Sequence, residues 1–146
     1  ACSNPVPEIW PWDAKEAGAR IVGTGRSDFA NQLNNSLGFP AIFRGALDVR
    51  ARTITDEMCL AAAEEIARYG EELGLDDEHI VPTMDDLDVY PREAVAVGLK
   101  AQEQGLARVT LSREEAYRVA AGKIEEARAM ISTLMREGAI APVPEE

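Results

Sequence analysis

The sequence is poor in histidine and cysteine. With a single histidine, His79, there is little material for a histidine-rich metal site or a Ser-His-Asp triad. The two cysteines, Cys2 and Cys59, have no metal-ligand spacing and are too few for a disulfide scaffold. Cys59 falls in a helical pattern, which predicts a small buried hydrophobic residue. This use of cysteine is typical of a reducing cytoplasm, so we expect a cytoplasmic protein.

Positive charge and long apolar runs are also scarce. The 15 basic residues are outnumbered by 26 acidic ones, giving a formal net charge of -11. Phosphate backbones repel such a surface, so the composition disfavours nucleic-acid binding. No apolar run approaches the roughly 20 residues that a membrane span needs, so we expect no membrane association. Hydrophobic residues make up 46% of the 146 positions, which is enough for one domain with a core.

The chain has no initiator methionine and no basic segment followed by an apolar core at its start. No signal peptide is therefore predicted. Residues 1–5 have the pattern of a strand end running into an Asn-Pro turn. We expect from this start that the sequence is a fragment of a longer protein.

The densest polar segment is the loop at residues 23–40, which follows an apolar run at residues 20–22 that predicts a buried strand. Pro40 is predicted to open a helix, because proline is favoured at the first helical position. Four amide side chains fall within five residues of this loop: Asn31, Gln32, Asn34 and Asn35. Amides suit carboxylates, carboxamides and ribose hydroxyls, although a single loop asparagine more often forms a turn. The density of amides at the end of a strand favours binding.

Helical patterns dominate the rest of the chain. Thr55 is a predicted N-cap for a helix that ends at Gly74. Pro91 is predicted to start the next helix, and Ser112 with Glu115 forms a capping-box pattern that opens the longest one. The apolar positions of that last helix predict a buried stripe, formed by Val119, Ala120, Ile124, Ala127, Met130, Ile131, Leu134 and Met135.

A cluster of acids precedes and enters the helix at Pro91, and it consists of Asp85, Asp86, Asp88 and Glu93. Their spacing does not match a calcium loop. A solvated acidic loop is the favoured interpretation. No metal ligand is predicted in this chain.

Two separated loops resemble the malic enzyme family. The first is CSNPVPEI at residues 2–9, and the second is GTGRSDFANQLNN at residues 23–35. The likeness continues through FPAIFRGALDVRA at residues 39–51 and ITDEM at residues 54–58. It is dense over residues 1–67 and looser afterwards.

The resemblance implies an α/β fold class, namely the C-terminal part of a Rossmann-like NAD(P)-binding domain. Such a part would be helix-rich, with two or three short parallel strands followed by C-terminal helices. We expect residues 1–110 to be the C-terminal half of the NAD(P)-binding domain. Residues 111–146 are expected to be a C-terminal helix and tail of the same structural unit.

The resemblance also implies an activity for the parent protein: oxidative decarboxylation of (S)-malate to pyruvate and CO₂. The cofactors would be NAD or NADP and a divalent metal, Mg²⁺ or Mn²⁺, that polarises the substrate oxygen. We further expect a homodimer or a higher homo-oligomer. Apolar faces left exposed by truncation would favour association or aggregation.

Three asparagines match family site positions. Asn4 would lie beside malate and the nicotinamide ribose, Asn34 would face the nicotinamide carboxamide, and Asn35 would face a malate carboxylate. The resemblance thus implies substrate binding by Asn4 and Asn35 and cofactor binding by Asn4 and Asn34. The family's catalytic tyrosine and lysine, its metal-binding acids and its Gly-rich dinucleotide loop are expected upstream. No catalytic residue is therefore predicted here, and the chain alone is expected to be inactive.

Two other functions stay open on the sequence. The long last helix and the acidic surface permit a non-catalytic helical interaction module. A different NAD(P)-dependent 2-hydroxy acid dehydrogenase could use the same amide loop.

Overall fold

A computed structural model describes residues 1–141 of the chain. Within that range the fold is helical, and each helix is named here in chain order: α1 (Pro11–Glu16), α2 (Phe39–Asp48), α3 (Asp56–Leu73), α4 (Val89–Glu103) and α5 (Arg113–Arg136). A short 3-10 helix at Asn35–Leu37 leads directly into α2. Helix α4 is central, because α2, α3 and α5 all pack against it.

Local sequence signals explain where the longer helices begin and end. The Thr55 side chain accepts a hydrogen bond from the first turn of α3, which satisfies one of the free N–H groups of a helix start. Gly74 follows the last residue of α3 at φ +94, a conformation that glycine adopts without strain. Ser112 and Glu115 form a reciprocal capping box at the start of α5. These three predictions are confirmed.

Small residues let α2 and α4 approach closely. A Cβ atom at Gly45 of α2 would overlap the carbonyl oxygen of Ala94 and would lie 2.9 Å from the Val97 Cβ atom. The buried residues of the main core come from α2, α3 and α4, and they are Ala46, Val49, Met58, Ala62, Val97 and Ala101. A second cluster of Ala41, Ala94 and Ala120 joins α2, α4 and α5. The position of the loop before α2 is therefore set by α4.

The predicted short strands are not observed within residues 1–141. The segment at residues 20–24 forms one isolated parallel bridge, between Thr24 and Gln32, and the amino group of Ala1 donates to the carbonyl of Gly23 at 3.0 Å. Strands are stable only when neighbouring strands pair with their backbone groups. Since no further pairing flanks these segments in the described part of the chain, the number of strands stays a prediction.

Two burial predictions, for α3 and for α5, need correction. Cys59 is exposed on α3, because the buried face of that helix carries Met58 and Ala62, and the next residue is rotated by about 100°. The predicted stripe on α5 is buried only at Ala120, beside a buried Ala116. Side chains from residue 125 to residue 141 are exposed, so the second half of α5 extends past the helices that cover its first half.

Among the described residues, no helix has both the length and the apolar character that crossing a membrane requires.

Candidate functional site

The amide loop, residues 23–38, is closed at its base by backbone hydrogen bonds. The N–H of Thr24 donates to the carbonyl of Asn31 at 3.2 Å, and the N–H of Leu33 donates to the carbonyl of Thr24 at 2.6 Å. Thr24 is completely buried. The segment between these contacts therefore forms a closed turn that is held at a fixed position beside residues 1–5.

The first predicted asparagine, Asn4, lies against Gly25 of the amide loop. A Cβ atom on Gly25 would lie 2.9 Å from Asn4 Nδ2. The guanidinium of Arg26 donates to the carbonyl of Pro5 at 2.7 Å, which ties the two loops together a second time. Two segments that are about 20 residues apart in the sequence thus form one wall.

The second predicted asparagine, Asn34, contacts the same glycine. Its Nδ2 donates to the carbonyl of Gly25 at 3.3 Å, and its Oδ1 accepts from the N–H of Ser36 at 3.0 Å. Asn34 is thereby the N-cap of the 3-10 helix. An amide group has two N–H donors and two lone pairs, so one donor and one acceptor stay available for a ligand.

The third predicted asparagine, Asn35, is the first residue of the 3-10 helix and is exposed. Its carbonyl accepts from the N–H of Gly38 at 3.0 Å. Asn4 is also exposed. The structure thus brings Asn4 and Asn34 together at Gly25 and places Asn35 next in the chain, with the amides of Asn4 and Asn35 open to solvent.

Asn31 has a structural role that the sequence did not reveal. It is 5% exposed and adopts φ +55. Its Nδ2 donates to the carbonyls of Val22 at 3.1 Å and Asp77 at 2.9 Å, and its Oδ1 accepts from the N–H of Ile80 at 2.9 Å. The side chain therefore joins the amide loop to the segment after α3, and it is not free to bind a ligand.

Arg26 orders the rim of the site. It makes a two-pronged ion pair with Asp28, at 2.8 and 2.7 Å, and these hydrogen bonds lower the pKa of the Asp28 carboxyl. The guanidinium also lies over the rings of Trp10, at 5.7 Å, and Phe29, at 5.2 Å. Trp10 in turn stacks on Trp12 with 5.0 Å between ring centroids. Since its charge is paired with Asp28, Arg26 contributes mainly order to this wall.

A cavity of about 360 Å³ lies between the amide loop and residues 78–85. Phe29 and Gln32 line it from the loop, and His79 and Thr83 line it from the opposite side. The sequence predicts a structural role for His79. Its Nδ1 lies 3.0 Å from a carboxylate oxygen of Asp76. The amide loop therefore borders a cavity on the side where residues 78–85 lie.

Glu93 is the residue that the sequence interpretation missed. The sequence predicts that Glu93 belongs to a solvated acidic loop. In the structure it is completely buried on α4, and burial raises its pKa to about 8. Its neighbours one turn away on either side, Val89 and Val97, are fully buried. Residues four apart share a helix face, so the positions of Val89 and Val97 in the sequence are the signal that predicts burial of Glu93. A methyl group at Gly38, the residue that ends the 3-10 helix, would lie 3.7 Å from Glu93 Oε1.

No group of three or more potential metal-binding side chains (His, Cys, Asp or Glu) lies together within residues 1–141.

Comparison with known proteins identifies the class of domain. Residues 19–102 match the family model described as "Malic enzyme, NAD binding domain". The chain is 55% identical over 115 residues to the bifunctional malic/malolactic enzyme of Bacillus subtilis. It is 43% identical over 132 residues to an NADP-dependent malic enzyme of Rhizobium meliloti. These matches cover 79% and 80% of this chain, respectively.

The fold agrees with a solved structure. The crystal structure of Entamoeba histolytica malic enzyme matches 98% of this chain with a TM-score of 0.95 and 49% identity. Because the family model covers more than half of the chain, this chain belongs to the malic enzyme family. It spans 28% of the Bacillus subtilis relative, 17% of the Rhizobium meliloti relative and 30% of the Entamoeba histolytica chain.

Proposed function

We propose that this chain forms the amide-bearing wall of the malate and nicotinamide site of a malic enzyme. The whole protein would oxidatively decarboxylate (S)-malate to pyruvate and CO₂ with NAD or NADP. The observation that carries the proposal is the convergence of two loops at Gly25. Asn4 lies against this residue, and Asn34 donates to its carbonyl.

Each asparagine has its own role in this proposal. Asn4 contacts malate and the nicotinamide ribose, Asn34 contacts the nicotinamide carboxamide, and Asn35 contacts a malate carboxylate. The solvent-open amides of Asn4 and Asn35 and the unused donor and acceptor of Asn34 support these roles. Neutral amides bind polar groups without adding a charge beside the path of the hydride.

The order of the wall supports a role in orientation. Backbone contacts close the loop at Thr24, Asn31 joins it to residues 77–80, and Arg26 ties it to Pro5. A site whose polar groups are already held in place loses little further entropy on binding. In our proposal, this chain binds and orients the substrate and the nicotinamide.

The proposed reaction includes a divalent metal, Mg²⁺ or Mn²⁺, which would polarise the oxygen of the substrate. We propose that the ligands of this metal lie in a part of the protein outside this chain.

Membership in the malic enzyme family favours this function over a non-catalytic helical module and over a different 2-hydroxy acid dehydrogenase. The relatives named above are a malic/malolactic enzyme and an NADP-dependent malic enzyme. We also propose a cytoplasmic homodimer or higher homo-oligomer. The exposed apolar side chains on the second half of α5, such as Met130 and Ile131, are consistent with a further packing surface.

The test is an assay of the whole protein that contains this chain. Reduction of NAD and of NADP is followed with Mn²⁺ and with malate, lactate or tartrate as substrate. We expect malate-dependent reduction together with release of CO₂, and no turnover by the 146-residue chain alone. Reduction without CO₂ release, or a preference for another 2-hydroxy acid, would overturn the proposal.

A further inference from the structure

Glu93 is a buried acid that has no hydrogen-bond partner among the described residues. It lies next to the turn that carries Asn34 and Asn35. Both of its carboxyl oxygens are buried, and neither has a hydrogen-bond partner within residues 1–141. Its Oε1 would lie 3.7 Å from a methyl group at Gly38, and the same methyl group would lie 4.0 Å from the carbonyl oxygen of Asn35. The carboxyl is therefore within a few ångströms of the backbone that positions the two amides.

The turn in front of Glu93 is also the start of α2. Asn35 accepts from the N–H of Gly38, and Gly38 accepts from the N–H of Ile42. The first N–H groups of a helix have no partner inside it and attract negative charge. An ionised Glu93 would thus be attracted to the N–H groups of this turn.

Some of the charged groups on the neighbouring elements are paired with one another. On α2, Arg44 pairs with Asp48, while its buried Nε has no hydrogen-bond partner among the described residues. On α3, Glu65 pairs with Arg68 and Arg92. On α4 itself, burial raises the pKa of Tyr90, and the charge of Glu93 adds to this increase. The loop before α4 adds like charges near Tyr90, from Asp85 and Asp86. On α5, Arg128 lines a cavity with Arg44 and Tyr90.

The burial of Glu93 is the main reason for its unusual titration. Desolvation raises its pKa to about 8, since a buried charge without a partner is strongly disfavoured. At neutral pH the side chain is therefore a neutral packing group. Its ionisation would require water or N–H groups to reach the carboxylate, and the turn at residues 35–38, which begins α2, lies within a few ångströms of it.

We propose that neutral Glu93 is a positioning residue, which holds the turn of residues 34–38 in the geometry that binds nicotinamide and malate. Loss of its proton then displaces the turn and weakens binding. Both roles rest on the function proposed above. The role toward the nicotinamide cofactor can be measured without catalysis.

The test measures the dissociation constants of NADH and NADPH by fluorescence, from pH 6.5 to 9.5, in the whole protein. For the wild type, we expect the dissociation constant of the preferred cofactor to rise at least fivefold between pH 7 and pH 9.5. For Glu93→Gln and Glu93→Leu, we expect a rise of less than twofold. A leucine side chain needs no hydrogen-bond partner when it is buried. If the glutamine variant does not fold, the leucine variant still tests the proposal.

The matched control is Glu65→Gln, which removes a different buried carboxylate that is paired with Arg92. It should keep the pH dependence of the wild type. Parallel profiles for the wild type and both Glu93 variants would overturn the proposal, and so would a flat profile for the Glu65 variant. A protein that shows the expected binding profiles without oxidising malate would refute the proposed reaction and leave the role of Glu93 standing.

Discussion

Gly25 lies directly against Asn4, with no room for a side chain between them. A Cβ atom on Gly25 would lie 2.9 Å from Asn4 Nδ2 and 2.9 Å from the carbonyl oxygen of Cys2. Real Cβ atoms essentially never come this close to other atoms. The two loops can therefore share one wall only because residue 25 is glycine, and the position of Asn4 depends on it.

Substitution of Gly25 by alanine should displace the segment at residues 1–4. Because one of the two clashing atoms belongs to the backbone, a rotamer change cannot relieve the overlap, and we expect a loss of about 1–3 kcal/mol of stability. We also expect higher KM values for malate and for the nicotinamide cofactor. Thermal unfolding and steady-state kinetics of the whole protein measure both effects. Ser27→Ala, an exposed position in the same loop, is the control and should behave like the wild type.

Substitution of Asn35 by alanine tests the contact with a malate carboxylate. A hydrogen bond to a charged group is worth about 1.5–3 kcal/mol, so kcat/KM for malate should fall roughly 10- to 150-fold. The melting temperature should change little, since Asn35 is exposed. An unchanged kcat/KM for malate would refute the role of this residue.

Asn31→Ala, in the same loop, tests an asparagine whose role is structural. The substitution leaves three partly buried backbone groups without this partner and puts alanine at φ +55. We expect a loss of stability of about 2–4 kcal/mol, most of it from the missing hydrogen bonds. Asn31→Gly should lose about 1 kcal/mol less, because glycine tolerates this φ. Equal melting temperatures for the two variants would show that backbone strain contributes nothing.

The close packing of α2 on α4 can be tested with two glycines. At Gly45 a methyl group would overlap the Ala94 carbonyl, so Gly45→Ala should cost about 3 kcal/mol or more. At Gly122 of α5, a Cβ atom would meet nothing within 4 Å, so Gly122→Ala should stabilise its helix by about 0.5–1 kcal/mol. Opposite shifts in melting temperature are expected. Similar shifts for both variants would show that the contact at Gly45 does not limit the packing.

Signals that act within a few residues were predictable from the sequence. The N-cap at Thr55, the stop at Gly74 and the capping box at Ser112 each depend on neighbours along the chain. The family resemblance rested on two short loops, and it is confirmed by the match to the family model. The roles of Asn4, Asn34 and Asn35 stay predictions.

Features that depend on distant segments were not predictable in the same way. Asn31 bonds to residues 77 and 80, and no local pattern distinguishes it from the other amides of the loop. The apolar stripe of α5 has the periodicity of a buried face, yet burial requires a partner surface, and none of the described residues covers Met130 or Leu134. The predicted strands likewise need pairing partners. In each case, burial or strand pairing depends on which part of the protein lies against the segment.

The buried carboxyl of Glu93 should give the protein a distinctive dependence of stability on pH. Its pKa is about 8 in the folded state and about 4.3 when unfolded, so the folded state binds the proton more tightly. The stability from this group is fully present below about pH 4.5 and falls as the pH rises, until the loss is complete just above pH 8. At 1.36 kcal/mol per pKa unit, the upper limit is about 5 kcal/mol. Acids with a lowered pKa, such as Glu72 and Asp77 beside arginines, act in the opposite direction, and their contribution is lost as the pH falls below about 4.

Glu93→Leu isolates this contribution, because leucine fills a similar volume and cannot ionise. The variant should be more stable than the wild type at pH 8.5. At that pH the wild type must either bury an unpaired charge or hold a proton above the pKa of the carboxyl, and both cost free energy. The difference in melting temperature should shrink steadily as the pH is lowered from 8.5 to 5. Melting temperatures of the whole protein, measured for both forms at half-unit steps, give the slope directly. A difference that stays constant across this range would mean that Glu93 titrates normally and is reached by water in the folded protein.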